Sequence, residues 1–376
     1  MTMKIYRWAE LTDALRGTLL QRPAVAEEKA IRGGAQSIID QVRSDGDLAL
    51  FSLTAKYDHV KLAELQVPQS EVVAAEASLT SSQLAAIDLA IDNVRRFHEA
   101  QVPVNIRVET MPGVVCERMS RPIEAVGLYV PAGTAPLPSA AIMLAVPAAI
   151  AGCPTRILCT PPRPDGTADP AVLIAASRAG VKDIYKVGGA QAIAAMAYGT
   201  ESVPKVRKIF GPGNAWVTCA KTLVSTDTEG AAIDMPAGPS EVLVIADADA
   251  SAEFVASDLL SQAEHGVDSQ VVLLTTSSEL AEQVATELEE QLPLLSRADI
   301  AAAALANSRI IVVEDLDTAI DVSNAYAPEH LILQVADARG LVSRVSNAGS
   351  VFVGPWTPES AGDYCSGTNH VLPTYG

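Results

Sequence analysis

The stretch "EVLVIADADASAEFVASDLLSQAEHGVDSQVVLLTT", Glu241 to Thr276, reads as strand, helix and strand. Its two ends, "EVLVIAD" and "QVVLLTT", are short apolar runs, and the segment between them carries apolar residues at helical period. Apolar strands alternating with a helix at this spacing signal a βαβ unit on a parallel sheet. Asp249 or Ser251 can cap the helix, which the pattern carries to His265, and Gly266 suits the left-handed residue that ends it.

Outward from this stretch the alternation continues through "RIIVVED", "HLILQV" and "SVFVG". An earlier series starts at Ile123 and runs through "IEAVGLYV", "RILCT", "DIYKVG" and "KIFG", with helical patterns between. The fold class is therefore α/β, with two incomplete Rossmann-like parallel-sheet modules, one inserted in the other. Turn-rich stretches mark their junctions, "VPAGTAPLP" (Val130 to Pro138) and "DMPAGPSE" (Asp234 to Glu241). The N-terminal segment is mostly helical in pattern, in "AEEKAIRGGAQSIIDQVR" and "SSQLAAIDLAIDNVRRFHEA", and is expected to pack on the second module. The expected boundaries are a helical extension over 1–22, a discontinuous domain over 23–128 plus 241–376, and an inserted domain over 129–240.

With 49% hydrophobic and 19% charged residues in 376, the chain is globular. Its 45 acidic against 27 basic residues give a net charge of −18, which opposes a polyanionic partner and excludes nucleic acid. The N-terminus "MTMKIYRWAELTDALRG" has no continuous apolar core, and the longest apolar run, "AAIMLAVPAAIAG" (Ala140 to Gly152), is short and interrupted by proline. No export signal or membrane span is expected. Cys116, Cys153, Cys159, Cys219 and Cys365 are odd in number and hold no CxxC pair, so neither a disulfide framework nor a thiolate zinc site is suggested. A reduced, cytoplasmic setting follows.

Within the opening stretch, Gln262 and His265 stand at i and i+3 on one face of the last helical turn. A helix C-terminus carries partial negative charge, so a cation held there by an imidazole and an amide oxygen is stabilised. The same spacing also serves two polar side chains that cap the turn and meet solvent. Glutamine is an uncommon zinc ligand, and other parts of the chain must supply the rest of a metal sphere. "APEHLIL" places Glu329 and His330 after Pro328 at the entrance of a strand, where a solvated turn or a cleft is open to them. An imidazole titrating near neutrality suits general base work, and a neighbouring carboxylate can handle a second proton. "PESAGDYCSGTNHVLPTYG" adds Asp363 and His370 in a segment too polar and irregular for core, whereas His59 and His98 read as surface residues.

These segments, with "VGLYVPAG", "VGGAQAIAA", "KIFGPGN", "AAIDMPAGPSEVLV" and "SAGDYCSGTNHVLPT", make the chain resemble the histidinol dehydrogenase family over essentially its whole length. The resemblance implies a cytoplasmic homodimer with shared active sites. It implies oxidation of L-histidinol through L-histidinaldehyde to L-histidine with two NAD and one zinc ion per subunit. It makes 129–240 the NAD-binding domain and the discontinuous part the metal and substrate domain. Gln262, His265 and Asp363 match zinc ligands, and the metal orients a substrate whose imidazole and amino nitrogens complete its coordination. His330 matches the base that takes the alcohol proton, and Glu329 the group that activates water for the second oxidation. Ser240, His330 and His370 match substrate contacts, and Tyr129, Gln191 and Asn214 match NAD-binding residues.

No GxGxxG follows a strand, and "VPAGTAP", "VGGAQ" and "FGPGN" are glycine-bearing turns that also occur for tight packing alone. No cysteine has an activating neighbour in sequence, so none is given a catalytic role. The chain ends at Gly376, where the family continues into a helical tail that supplies a further glutamate and the remaining zinc ligand, donated to the partner subunit. If that tail is missing, weak zinc binding and little activity are expected. Two alternatives accompany this reading: a related metal-dependent oxidoreductase of another amino alcohol, and a truncated or inactive homologue that only binds a small ligand or dimerises.

Overall fold

The computed structural model describes residues 3–22, 28–132, 136–236 and 238–369, apart from the side chains of Glu28, Lys29 and Asp363. The described residues form two compact units: 3–22 with 238–363, and 28–132, 136–236 and 364–369. Because the chain leaves the first unit and later returns to it, the second is an insertion.

The first unit opens with strand β1 (Lys4–Arg7) and helix α1 (Asp13–Leu19), so the helical N-terminal segment also contributes a strand. The inserted unit begins with α2 (Glu28–Tyr57), which breaks at Gly46 (φ 53°), where an added Cβ would meet the Glu201 carboxylate. Helices α3 (Gln69–Ser78) and α4 (Ser81–Glu99) follow, the latter started by a reciprocal cap between Thr80 and Gln83. A hairpin of β2 (Ile106–Met111) and β3 (Val114–Arg118) has every residue exposed. Then strands and helices alternate: β4 (Ala125–Tyr129), α5 (Pro138–Ile150), β5 (Thr155–Thr160), α6 (Pro170–Arg178), β6 (Asp183–Lys186), α7 (Gly189–Tyr198), β7 (Lys208–Phe210), α8 (Ala215–Thr226) and β8 (Ala232–Ile233). The five strands are parallel, in the order β6-β5-β4-β7-β8.

Residues 23–128 are expected to join 241–376. The compact division instead places 28–132 with the five-stranded sheet. The reason is packing. Ile38, Ile39, Leu50 and Leu53 of α2 share a core with Tyr129, Ile157, Ile193 and Val217. Ile87, Ile91 and Val94 of α4 share the opposite core with Val126, Leu128, Ala141 and Leu173. An amphipathic helix declares an apolar stripe but not which sheet will cover it.

The chain returns with β9 (Glu241–Ala246), α9 (Ala252–Ala263), β10 (Gln270–Thr275), α10 (Ser278–Gln291), α11 (Ala298–Leu305), β11 (Arg309–Val312), α12 (Leu316–Tyr326), β12 (His330–Gln334), α13 (Ala338–Leu341), β13 (Ser350–Val353) and α14 (Glu359–Tyr364). Its six strands are parallel in the order β1-β11-β10-β9-β12-β13. Counted from the first strand of each series, both sheets share the order 3-2-1-4-5, that of an open doubly wound sheet. Ser251 caps α9, as the sequence allows. The helix ends at Ala263, two residues short of His265, because His265 N–H turns back to the Gln262 carbonyl at 3.2 Å. Gly266 is not left-handed, which corrects the expected C-cap. Among the described residues no helix is long and apolar enough to cross a membrane.

Candidate active site

In the six-stranded unit the candidate residues sit where strands begin. Ser240 precedes β9, His265 lies in the turn before β10, and Glu329 and His330 stand at the entrance of β12. One residue holds the last two. The N–H of Glu241 donates to Glu329 Oε2 at 3.1 Å, and the Glu241 carbonyl lies 2.9 Å from His330 Nδ1. A carbonyl only accepts, so Nδ1 carries the hydrogen and Nε2 carries the lone pair. The Glu329 carboxylate stands 3.7 Å from the same Nδ1, too far to compete with the carbonyl. Both side chains are buried, His330 at 3% exposure, and its ring lies 6.0 Å from that of Phe352.

Gln262 is 1% exposed, and its Oε1 has no donor among the described residues. A buried amide oxygen left in that state costs about 1–3 kcal/mol, so this atom is disposed to accept a hydrogen bond or a cation. Three residues on, His265 donates from Nδ1 to the Ser261 carbonyl at 2.9 Å, which fixes Nε2 as its acceptor. The Ser261 hydroxyl in turn donates to Glu359 Oε2 at 2.7 Å. Two lone pairs at the negative end of α9 have the chemistry of cation ligands. The side chain of Asp363, and His370 entirely, lie outside the described residues. Among those described, no three His, Cys, Asp or Glu gather in one metal-sized cluster.

Behind this edge lies a group that the sequence did not reveal. Arg22 donates from Nε to Glu241 Oε1 at 2.7 Å and from Nη2 to Oε2 at 2.9 Å. Its Nη2 also reaches the carbonyls of Tyr326 (2.8 Å) and Ala327 (3.0 Å), and its guanidinium lies 4.3 Å from the Tyr326 ring centre. Burial pushes the Tyr326 phenol well above its ordinary range, and its hydroxyl donates to Gln270 Oε1 at 2.8 Å.

In the inserted unit the candidate residues lie at the other edge of the sheet. Tyr129 is the last residue of β4, Gln191 lies in the first turn of α7 after β6, and Asn214 caps α8 after β7. Tyr129 and Gln191 meet at Gly189, and Tyr129 also packs against Gly211. The Tyr129 hydroxyl accepts the N–H of Gly189 at 3.0 Å, and a Cβ at Gly189 would stand 2.9 Å from Gln191 Oε1. At Gly211 (φ 130°) a Cβ would collide with the Tyr129 carbonyl, so only glycine fits. Gly211 is clamped from behind: buried Lys221 donates to its carbonyl at 2.7 Å and pairs with Asp234, whose Oδ2 takes the Gly211 N–H at 2.8 Å. The Asn214 side chain accepts from the N–H groups of Trp216 and Val217, at 3.1 and 3.2 Å. Asp58 also escaped the sequence reading. Its Oδ2 is buried without a hydrogen-bond partner among the described residues, burial raises its carboxyl to about 6, and its charge acts on Tyr129.

Elsewhere, burial pushes the Cys159 thiol up to about 12, which removes it as a nucleophile at neutral pH. His59 is exposed, whereas His98 is half-buried with Nδ1 on the Val94 carbonyl at 2.8 Å.

With this geometry in place, comparison with known proteins gives a consistent result. The family model for histidinol dehydrogenase matches residues 20–376. A histidinol dehydrogenase of Vibrio cholerae is 56% identical over 374 residues, covering 100% of this chain and 86% of that protein. One of Yersinia pestis is 54% identical over 372 residues, covering 99% and 83%. The crystal structure of histidinol dehydrogenase from Elizabethkingia anophelis superposes with a TM-score of 0.95 at 46% identity, covering 99% of this chain and 85% of that one.

Proposed function

The chain belongs to the histidinol dehydrogenase family, and on that premise we propose that it oxidises L-histidinol through L-histidinaldehyde to L-histidine with two NAD per turnover. His330 takes the hydroxyl proton on Nε2 while the carbinol hydride passes to nicotinamide. Glu329 then takes a proton from the water that adds to the aldehyde, and the hydrate gives its hydride to a second NAD. The observation that carries this reading is the double grip of Glu241, whose carbonyl fixes the His330 tautomer and whose N–H fixes the Glu329 carboxylate.

Gln262, His265 and Asp363 would hold one zinc ion per subunit; the orphaned Gln262 Oε1 supports this. Zinc supplies a fixed positive charge that orients the imidazole and amine of the substrate. Ser240, His330 and His370 complete the substrate contacts. Tyr129, Gln191 and Asn214 hold NAD at the carboxyl edge of the five-stranded sheet, where α5, α7 and α8 start and their N-termini favour a pyrophosphate. The protein acts as a homodimer in the cytoplasm. The fully exposed β2–β3 hairpin supports dimerisation, since it bares Ile106, Val108, Met111 and Val114 beside Arg107, Arg118 and Arg121 on a chain of net charge −18.

The test is a progress curve with limiting L-histidinol and excess NAD. Two NADH per histidinol are expected. One per histidinol, as for a simple alcohol dehydrogenase, or none would overturn the reading.

A further inference from the structure

We propose that Arg22 is a positioning residue for the reaction, holding Glu329 and His330 in place from the N-terminal segment without touching the reacting atoms. This rests on the assignment of those two as the catalytic pair.

The pair is reached by two routes, and Arg22 grips both. One route is Glu241, the residue whose N–H and carbonyl hold the pair. Its carboxylate is fully buried and is engaged by Nε and Nη2 of Arg22 at 2.7 and 2.9 Å. With the side chain pinned at both oxygens, the backbone at 241 is restrained in re-aiming its hydrogen bonds. The other route is the turn that delivers the pair. Ala327, two residues before Glu329, is left-handed at φ 54°, a conformation that a Cβ disfavours. Arg22 Nη2 takes the carbonyls of Tyr326 and Ala327 at 2.8 and 3.0 Å and holds that turn.

Only a planar fork can meet a carboxylate side-on while reaching two further carbonyls. A lysine keeps the charge and loses the fork. Without Arg22, the buried Glu241 carboxylate has lost its charge partner and must seek other donors or water, which pulls the start of β9 away from Glu329 and His330. The N-terminal segment, 219 residues away in sequence from Glu241, is thus part of the active site.

The test is steady-state kinetics on Arg22→Ala and Arg22→Lys, with Glu329→Gln and His330→Asn measured beside them. For Arg22→Ala, kcat is expected to fall about 10- to 100-fold, the range seen when groups that orient a functional ligand are removed. KM for L-histidinol and NAD should change less than about threefold. Millimolar guanidinium should restore a substantial part of kcat where sodium chloride at equal ionic strength does not, and Arg22→Lys should fall between. A merely structural loss would lower folded protein without rescue. Wild-type kcat in Arg22→Ala, or a loss that matches its unfolded fraction and is untouched by guanidinium, overturns the proposal. If Arg22→Ala does not fold, wild-type kcat in Arg22→Lys does so. If Glu329→Gln and His330→Asn keep full turnover, the catalytic assignment falls and takes this inference with it. If they are inactive while Arg22→Ala is not, only the inference falls.

Discussion

The two sheets share one strand order and carry their candidate residues at opposite edges. In the five-stranded sheet the candidate residues come after their strands: Tyr129 ends β4, and Gln191 and Asn214 open the helices that follow β6 and β7. In the six-stranded sheet they come before: Ser240, His265 and Glu329 precede β9, β10 and β12. Helix polarity makes this difference chemical. The carboxyl edge of a parallel sheet gathers helix N-termini, which favour anions, and the amino edge gathers helix C-termini, which favour cations. A dinucleotide pyrophosphate suits the first, and a metal with an amino alcohol suits the second. At the carboxyl edge of the six-stranded sheet the loops bond to one another: Asp247, just past β9, accepts the N–H of Ala336 at 2.7 Å and that of Asp249 at 3.1 Å. On the proposed function, one topology would carry two opposite ligands, one at each kind of edge.

Four substitutions test the division, beginning with the largest effect. His330→Asn should lower kcat by about 10³-fold, within the range for a lost general base, and leave NAD affinity intact. An equal loss of NAD binding would mean that the edges are not independent. Gln262→Ala should weaken zinc binding by about 10- to 100-fold, measured by metal retention against a chelator, with no change in NAD affinity. Gly211→Ala should act only on the other edge. Its left-handed backbone and the clash with Tyr129 should cost about 1–3 kcal/mol in denaturant unfolding and raise KM for NAD, while zinc content stays at the wild-type level.

The smallest effect concerns pH. Asp258, one turn before Gln262 on α9, is buried, and desolvation raises its carboxyl to about 6 against the hydrogen bond from Gln334 Nε2 at 2.7 Å. Below about pH 4 the carboxyl is protonated in both folded and unfolded chains, and it has no effect on the balance. Between 4 and 6 the folded chain retains a proton that the unfolded chain releases, so stability falls as pH rises, and above 6 the penalty is complete. Asp258→Asn should therefore stabilise the protein by at least about 1 kcal/mol at pH 7.5, since each tenfold rise in a carboxyl's proton affinity on folding costs about 1.4 kcal/mol once it must ionise. At pH 4 it should give no gain. Melting curves at the two pH values check this, and an equal gain at both would show that charge burial is not the cause.

Strands buried on both faces, such as β9, β10 and β12, were legible because they read as continuous apolar runs. Gln262, Glu329 and His330 stand out in the sequence as polar groups in apolar surroundings, and the structure buries all three. What stayed hidden depends on long-range pairing. Lys4–Arg7 alternates too briefly to be read as a strand until β11 lies beside it. The β2–β3 hairpin mixes apolar and charged residues on two exposed faces and leaves no periodic signal. Arg22 is an ordinary surface residue by its neighbours, and only the fold brings Glu241 and Ala327 to it. The end of α9 was misplaced because a tightening turn at His265, not a left-handed glycine, closes it.

The most direct test of the opposed edges is calorimetric titration of NAD into wild-type protein, Gln262→Ala and Gly211→Ala, with zinc determined on the same samples. Gln262→Ala should lose zinc and bind NAD as the wild type does, and Gly211→Ala should keep zinc and bind NAD more weakly. Loss of both ligands in either folded variant would contradict the division.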